Sequence, residues 1–123
     1  MNTTATLNLI ISLNRGVLDG KLRRRDEVAL KGGKGMCIIY TDKCKHSDPR
    51  VYEAGKILMR EGATIGEHAH ENDWEEYTVL AGMVTCEREV YFPGDTMVCR
   101  TGKSHSVENI AEGESVLRFV KRK

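Results

Sequence analysis

The chain has 123 residues, a length that supports one compact domain with a single core and is too short for two. Its 19 Lys and Arg residues against 18 Asp and Glu residues give a formal net charge of +1, so overall charge favours neither nucleic acid nor an anionic membrane as a partner. Because no basic region followed by a long apolar segment begins the chain, neither a signal peptide nor a membrane span is predicted, and we expect a cytoplasmic protein.

Residues 1–35 have the least regular pattern and are treated as an N-terminal extension that contributes strands. The apolar stretch 7–13 is interrupted by Asn8 and Ser12, and it is compatible with either an additional strand or a short helix. Two short basic clusters, residues 23–25 and 121–123, are interpreted as solvated surface, with a nucleic-acid footprint as the alternative.

From residue 36 onward, no window shows an apolar period near 3.6 over three turns, and the chain is instead rich in β-branched and aromatic residues. Turn-forming residues separate the segments at the intervals expected for an all-β sandwich or barrel. We therefore predict a single all-β domain over residues 1–123 with a core barrel over 56–121. The predicted strands are 36–41, 52–60, 75–81, 83–87, 90–92, 96–100, 104–109 and 115–121.

The strand at 36–40, Met-Cys-Ile-Ile-Tyr, is apolar on both faces. Such a strand is usually covered on both faces, and in a domain of this size the second cover could be another subunit. We therefore expect a homodimer built around this strand. The last strand differs, because Leu117 and Phe119 share one face while Arg118 lies on the other.

Four cysteines, at positions 37, 44, 86 and 99, form no C-x-x-C pair, so neither a zinc knuckle nor a thioredoxin-type motif is predicted. Reduced thiols are expected, with two disulfides as the alternative. Cys86 and Cys99 flank the segments discussed next and are expected to be buried and inert.

One segment has the spacing of a metal site. His68 and His70 are two residues apart on an extended segment, so both imidazoles can face one ion. A turn follows, and a new strand begins at Glu75, whose carboxylate can reach the same ion. Glu76 is expected to face away.

A second segment contains Gly94, Gly102, His105 and Asn109. Together the two segments resemble the paired sequence motifs of the cupin superfamily: Gly62, His68, His70, Glu75 and Gly82 match the first motif. The second motif is matched except at position 100, where Arg replaces the usual proline and a fixed φ angle is lost.

The resemblance implies a jelly-roll barrel, or double-stranded β-helix, that holds one divalent metal ion through His68, His70, Glu75 and His105. Three imidazoles and a carboxylate suit Fe, Mn, Ni or Zn, with Cu also possible, and on an octahedral ion they leave two positions open. The alternative is a purely structural ion, although structural zinc sites favour closed, cysteine-rich tetrahedra.

Residues near this site are further candidates. Glu75 and Tyr77 are the candidate catalytic residues, and Tyr77 is also a candidate substrate contact unless it is simply packed in the barrel. Arg100 and Lys103 are candidates for attracting an anionic group, with solvated loop charge as the alternative. Asn109 is expected to hold the end of its strand or to hydrogen bond to a ligand.

Fold does not choose among the activities that cupins support. The four-ligand site favours a metal-dependent enzyme that acts on a small oxygen-rich or carboxylated molecule, of dioxygenase, isomerase or decarboxylase type. Two alternatives stay open. One is a non-catalytic module that binds a small molecule or sugar, and the other is a subunit whose partner supplies specificity.

Overall fold

The computed structural model of the chain describes residues 3–68, 73–100, 102 and 104–123, with the backbone alone for Thr3, Glu67 and His68. Within these residues lie one α-helix, α1 (Thr3–Leu18), a short 3-10 helix (Leu30–Gly32) and ten strands. The strands are β1 (Leu22–Val28), β2 (Cys37–Asp42), β3 (Val51–Met59), β4 (Thr64–His68), β5 (Trp74–Ala81), β6 (Val84–Cys86), β7 (Glu89–Tyr91), β8 (Thr96–Cys99), β9 (His105–Asn109) and β10 (Ser115–Arg122).

The strands form two antiparallel sheets that enclose one core. The first sheet has the order β1-β2-β3-β10-β5-β8 and the second the order β4-β9-β6-β7. Buried residues of both sheets pack together between them, among them Ile57 and Phe119 from the first sheet and Ile65 and Val107 from the second. The prediction of an all-β fold is confirmed.

The eight strands predicted from the sequence correspond to β2, β3 and β5 to β10, with ends that agree to within one residue. Strands β1 and β4 complete the two sheets. Strand β1 pairs with β2, so residues 22–42 belong to the same sheet as β3 and β10.

Helix α1 covers the outer face of the six-stranded sheet. Leu13 of the helix is buried in a cluster with Ile38 and Tyr40 of β2 and Val116 of β10. The hydroxyl of Tyr40 also donates a 3.4 Å hydrogen bond to Oδ1 of Asn14. Within the described residues, no helix has the length and apolar character needed to cross a membrane.

This packing explains why strand β2 is apolar on both faces. One face contributes Cys37 and Ile39 to the core between the sheets, and the other contributes Ile38 and Tyr40 to the cluster beneath α1. The second cover is therefore a helix of the same chain. The homodimer stays a prediction that this strand no longer supports.

The glycine-rich segment before β2, residues 32–35, lies directly against β4. The backbone N–H of Thr64 donates to the carbonyl of Lys34 over 2.7 Å, and the N–H of Lys34 donates to Oγ1 of Thr64 over 2.7 Å. A Cβ atom on Gly33 would lie 2.0 Å from the carbonyl oxygen of Thr64, so only glycine permits this approach. The segment thus fixes the position of β4, which ends at His68.

Candidate metal centre and adjoining cavity

Strand β5 directs Glu75 into the space between the sheets. Its side chains alternate between buried and partly exposed positions, and Glu75, Tyr77 and Val79 are on the buried face. Only 3% of Glu75 is exposed, an unusual burial for a carboxylate. Glu76 lies on the other face, where Nη1 of Arg122 is 3.3 Å from its Oε1.

His105 is the first residue of β9 and lies beside Glu75. It is also 3% exposed, and its Nε2 lies 4.0 Å from Oε1 of Glu75. Backbone pairing between β4 and β9 places His68 directly opposite His105. The two sheets therefore bring three of the four predicted ligand positions to one end of the core.

The remaining predicted ligand, His70, lies outside the described residues, and so does Lys103. Among the side chains that the structure describes, no group of three or more His, Cys, Asp or Glu residues could hold a metal ion. That set contains the side chains of Glu75 and His105 and lacks those of His68 and His70. The complete ligand set accordingly stays a prediction.

The described pair fits a transition-metal ion by its chemistry. A separation of 4.0 Å between Nε2 of His105 and Oε1 of Glu75 is too long for a hydrogen bond. An ion about 2.0–2.2 Å from each ligand atom can join two atoms that are up to about 4 Å apart. Imidazole and carboxylate are also the donors that Mn, Fe and Zn accept in proteins.

Tyr77 contacts Glu75 and His105, the two predicted ligands whose side chains the structure describes. Its hydroxyl donates a 2.6 Å hydrogen bond to Oε1 of Glu75. Its ring meets the His105 ring edge-on, with centroids 6.4 Å apart. Burial first, and then the neighbouring Glu75 carboxylate, raise the pKa of Tyr77 well above its ordinary value of 10.0. Tyr77 therefore stays protonated and orients the Glu75 carboxylate.

A cavity of about 150 Å³ opens beside Glu75 and Tyr77. This is smaller than the roughly 300–1,000 Å³ of sites for drug-sized ligands, and it suits a molecule of a few non-hydrogen atoms. The wall is about half apolar, and its apolar residues include Ile39, Ile57 and Phe119. The charged residues that line it are Arg25, Lys31, Glu53, Glu75 and Lys121.

Arg25 and Lys121 belong to the two basic clusters that the sequence analysis interpreted as solvated surface. Both side chains line this cavity, and both keep contact with solvent, with 41% of the Arg25 side chain and 24% of the Lys121 side chain exposed. The sequence does indicate this position for Lys121. In a strand, every second side chain is on the same face, so Lys121 shares the inward face of Leu117 and Phe119. For Arg25 no comparable pattern exists, since β1 has only Leu22 buried.

Arg100 does not line the cavity beside Glu75 and Tyr77. It lines a second cavity, of about 130 Å³, together with Cys86, Cys99 and His105. Of the three substrate-contact candidates, Tyr77 lines the cavity beside Glu75, Arg100 lines the second cavity together with His105, and Lys103 lies outside the described residues.

Cys86 and Cys99 are free and buried, as the sequence analysis expected. The two thiols hydrogen bond to each other. This bond, together with burial, raises the pKa of the Cys99 thiol far above its ordinary value, so Cys99 remains a neutral thiol. Cys99 is the direct cross-strand partner of Glu75.

Asn109 holds strand ends together away from the ligands. It is 2% exposed, and all of its side-chain hydrogen bonds that the structure gives go to the ends of neighbouring strands and the 109–115 turn. Its Nδ2 donates to the carbonyls of Met59, Arg60 and Gly113, and its Oδ1 accepts from the N–H of Ala111 and the hydroxyl of Ser115.

Comparisons with known proteins identify the family. No protein-family model matches the chain. An oxalate-binding protein of Thermotoga maritima is 30% identical over 98 residues, which cover 74% of this chain and 78% of the relative. A solved structure of a protein described as a predicted oxalate decarboxylase, also from Thermotoga maritima, superimposes with a TM-score of 0.71 at 21% identity, covering 84% of this chain and 94% of that one.

The cupin domain of an XRE family transcriptional regulator from Enterobacter cloacae also superimposes, with a TM-score of 0.60 at 12% identity, over 71% of this chain and 96% of that one. These likenesses agree with the two facing antiparallel sheets and with the spacing of both sequence motifs. The chain belongs to the cupin superfamily and has the cupin jelly-roll fold.

Proposed function

We propose that the chain binds one divalent transition-metal ion through His68, His70, Glu75 and His105 and acts on a small carboxylate of the oxalate class. The observation that carries this proposal is the buried pair of Glu75 and His105, with Nε2 and Oε1 4.0 Å apart beside a small cavity. The relative that is 30% identical is named an oxalate-binding protein, which supports the ligand class.

A metal ion in this site would supply a Lewis acid with open positions for a carboxylate. The residues of the chain contribute the rest. Tyr77 orients the Glu75 carboxylate by its 2.6 Å hydrogen bond, and it does so while remaining protonated. The apolar side chains of Ile57 and Phe119 form part of the wall against which a small molecule would pack.

We favour an enzyme, and a decarboxylase is the type that the oxalate class suggests. Cleavage of oxalate with uptake of one proton gives carbon dioxide and formate, and both products can be measured. The small size of the cavity argues against a sugar as the bound molecule.

A non-catalytic binding module is the second candidate. Among the described residues that line the cavity beside Glu75 there is no histidine, and the tyrosine there has a strongly raised pKa. Neither observation identifies a proton donor whose pKa is matched to neutral pH. The name of the relative, which refers to binding, is also compatible with this candidate.

The test uses untagged protein loaded with Mn(II) or Fe(II). Oxalate binding is measured by calorimetry, and formate release is measured in parallel. The variant is His105→Ala, and His46→Ala is the matched control, because His46 lies outside both cavities that adjoin the candidate centre.

Oxalate binding with formate release in the parent and in His46→Ala, lost in His105→Ala, would support the enzyme. Binding without formate would support the binding module. Failure of the metal-loaded parent to bind oxalate, or a His105→Ala variant that keeps both its metal and its oxalate binding, would contradict the proposed function.

A further inference from the structure

A row of alternating charges crosses the inner face of the six-stranded sheet and ends at the candidate metal centre. Lys121 on β10 is the direct partner of Glu53 on β3 and, on its other side, of Glu75 on β5. Residues directly opposite each other on neighbouring antiparallel strands lie on the same face with their Cβ atoms about 4.5–5.5 Å apart. Lys121 therefore stands between two carboxylates.

The Glu53 carboxylate forms ion pairs with two cations, Lys121 and Arg25. Nζ of Lys121 lies 3.5 Å from Oε1 of Glu53, and Nη2 of Arg25 lies 3.2 Å from its Oε2. Each oxygen of the Glu53 carboxylate thus has its own cation. All three side chains are partly exposed, so a ligand entering from solvent can reach them.

The same three side chains line the cavity that contains Glu75 and Tyr77. Counting the described residues around that cavity, three cations face two carboxylates, which leaves a formal charge of +1 before any metal ion is added. Since a divalent ion adds two more positive charges, the occupied site would be strongly complementary to a dianion.

We propose that Arg25 and Lys121 bind the second carboxylate of a small dicarboxylate whose first carboxylate would bind the metal ion, and that Glu53 holds the two cations when no ligand is present. This inference rests on the proposed function. It assigns a task to residues from both basic clusters, and it makes the site selective for dicarboxylates over monocarboxylates of similar size.

Glu53 has a defined part in this arrangement because it competes with the ligand for the same two cations. A carboxylate that enters must displace Glu53 from Lys121 and Arg25, and this competition lowers the affinity for every dianion. Neutralising Glu53 removes the competitor while leaving both cations in place. Glu53→Gln should therefore bind a dicarboxylate more tightly than the parent does.

The experiment measures the affinity of metal-loaded protein for oxalate, malonate, formate and acetate by calorimetry. Lys121→Met and Arg25→Met should each weaken dicarboxylate binding by about tenfold, because a charge-assisted hydrogen bond is lost. Binding of formate and acetate should change by less than about twofold. Glu53→Gln should strengthen dicarboxylate binding several-fold.

Matched controls remove the same charge elsewhere. Lys123→Met and Arg24→Met alter residues that do not line the cavity, and they should leave all four affinities unchanged. The metal content of every variant is measured alongside by mass spectrometry, and circular dichroism verifies that each variant is folded.

Parent protein that binds dicarboxylates more tightly than monocarboxylates, with the stated losses and gain, would support the inference. Parent protein that binds dicarboxylates while Lys121→Met and Arg25→Met bind them equally well would overturn the inference and leave the proposed function standing. Metal-loaded parent that binds none of the four acids would contradict the proposed function and this inference with it.

Discussion

The hydroxyl of Tyr77 lies 2.6 Å from Oε1 of Glu75, two residues away on the same inward face of β5. This bond links a residue that stays protonated to the one carboxylate in the predicted ligand set. Such a bond fixes the rotamer of the carboxylate and keeps it in place for an ion. The relationship makes Tyr77 a positioning residue for Glu75.

Replacing Tyr77 with Phe should weaken metal binding by about 10- to 100-fold, the range seen when a hydrogen-bond partner of a metal ligand is removed. Competition with a chelator of known affinity measures the change. Tyr91→Phe is the matched control, because its hydroxyl bonds to the exposed Glu89 over 3.3 Å. Equal metal affinities for Tyr77→Phe and Tyr91→Phe would contradict the positioning role.

Helix α1 stabilises the fold by covering β2, and Leu13 is the residue that tests this. Leu13 is 2% exposed, whereas Ile11 on the same helix is 52% exposed. Leu13→Ala should lower the free energy of unfolding by about 2–5 kcal/mol, since it leaves a cavity beneath the helix. Ile11→Ala should change it by less than about 0.5 kcal/mol. Urea denaturation measures both, and similar effects for the two variants would show that α1 does not pack as described.

Stability should fall in alkaline solution partly through Cys37. Burial raises the pKa of the Cys37 thiol from its ordinary value of 9.0 to about 11. A raised pKa means that the folded chain keeps a proton which the unfolded chain releases, so the stabilisation is complete below pH 9 and is lost as pH rises towards 11 and above.

The stability difference between the parent and Cys37→Ala should therefore shrink by about 2–3 kcal/mol between pH 8.5 and pH 11.5. Urea denaturation across this pH range measures it, with Cys44→Ala as the control, since Cys44 is exposed. Parallel curves for the parent and Cys37→Ala would refute the contribution of Cys37.

Most strands were predictable because turn residues and β-branched side chains mark them locally. Strand β1 was not, because only its first residue, Leu22, is buried and the rest is charged. An edge strand of this kind has no period-2 pattern to detect. Helix α1 was left open between strand and helix, because exposed Leu7 and Ile11 obscure the apolar stripe that contains Ile10 and Leu13.

The ligand set could be proposed from sequence because the spacing of both motifs defines the positions of its members along the chain, and the complete set stays a prediction. The cavity residues could not be located in the same way. Arg25 reaches the cavity only because β1 folds alongside β2, and Lys121 does so only because β10 lies between β3 and β5. Such neighbours are set by strand order, and in sequence Lys121 is 46 positions from its partner Glu75.

Metal binding by the predicted ligands is tested most simply by the metal content of untagged protein, purified without a chelating column and measured by mass spectrometry. We predict about one equivalent of Mn, Fe, Ni or Zn in the parent and in His46→Ala, and almost none in the double variant His68→Ala, His70→Ala. A parent that holds no metal and takes up neither added Fe(II) nor Mn(II) would contradict this prediction, and so would a double variant that retains the full equivalent.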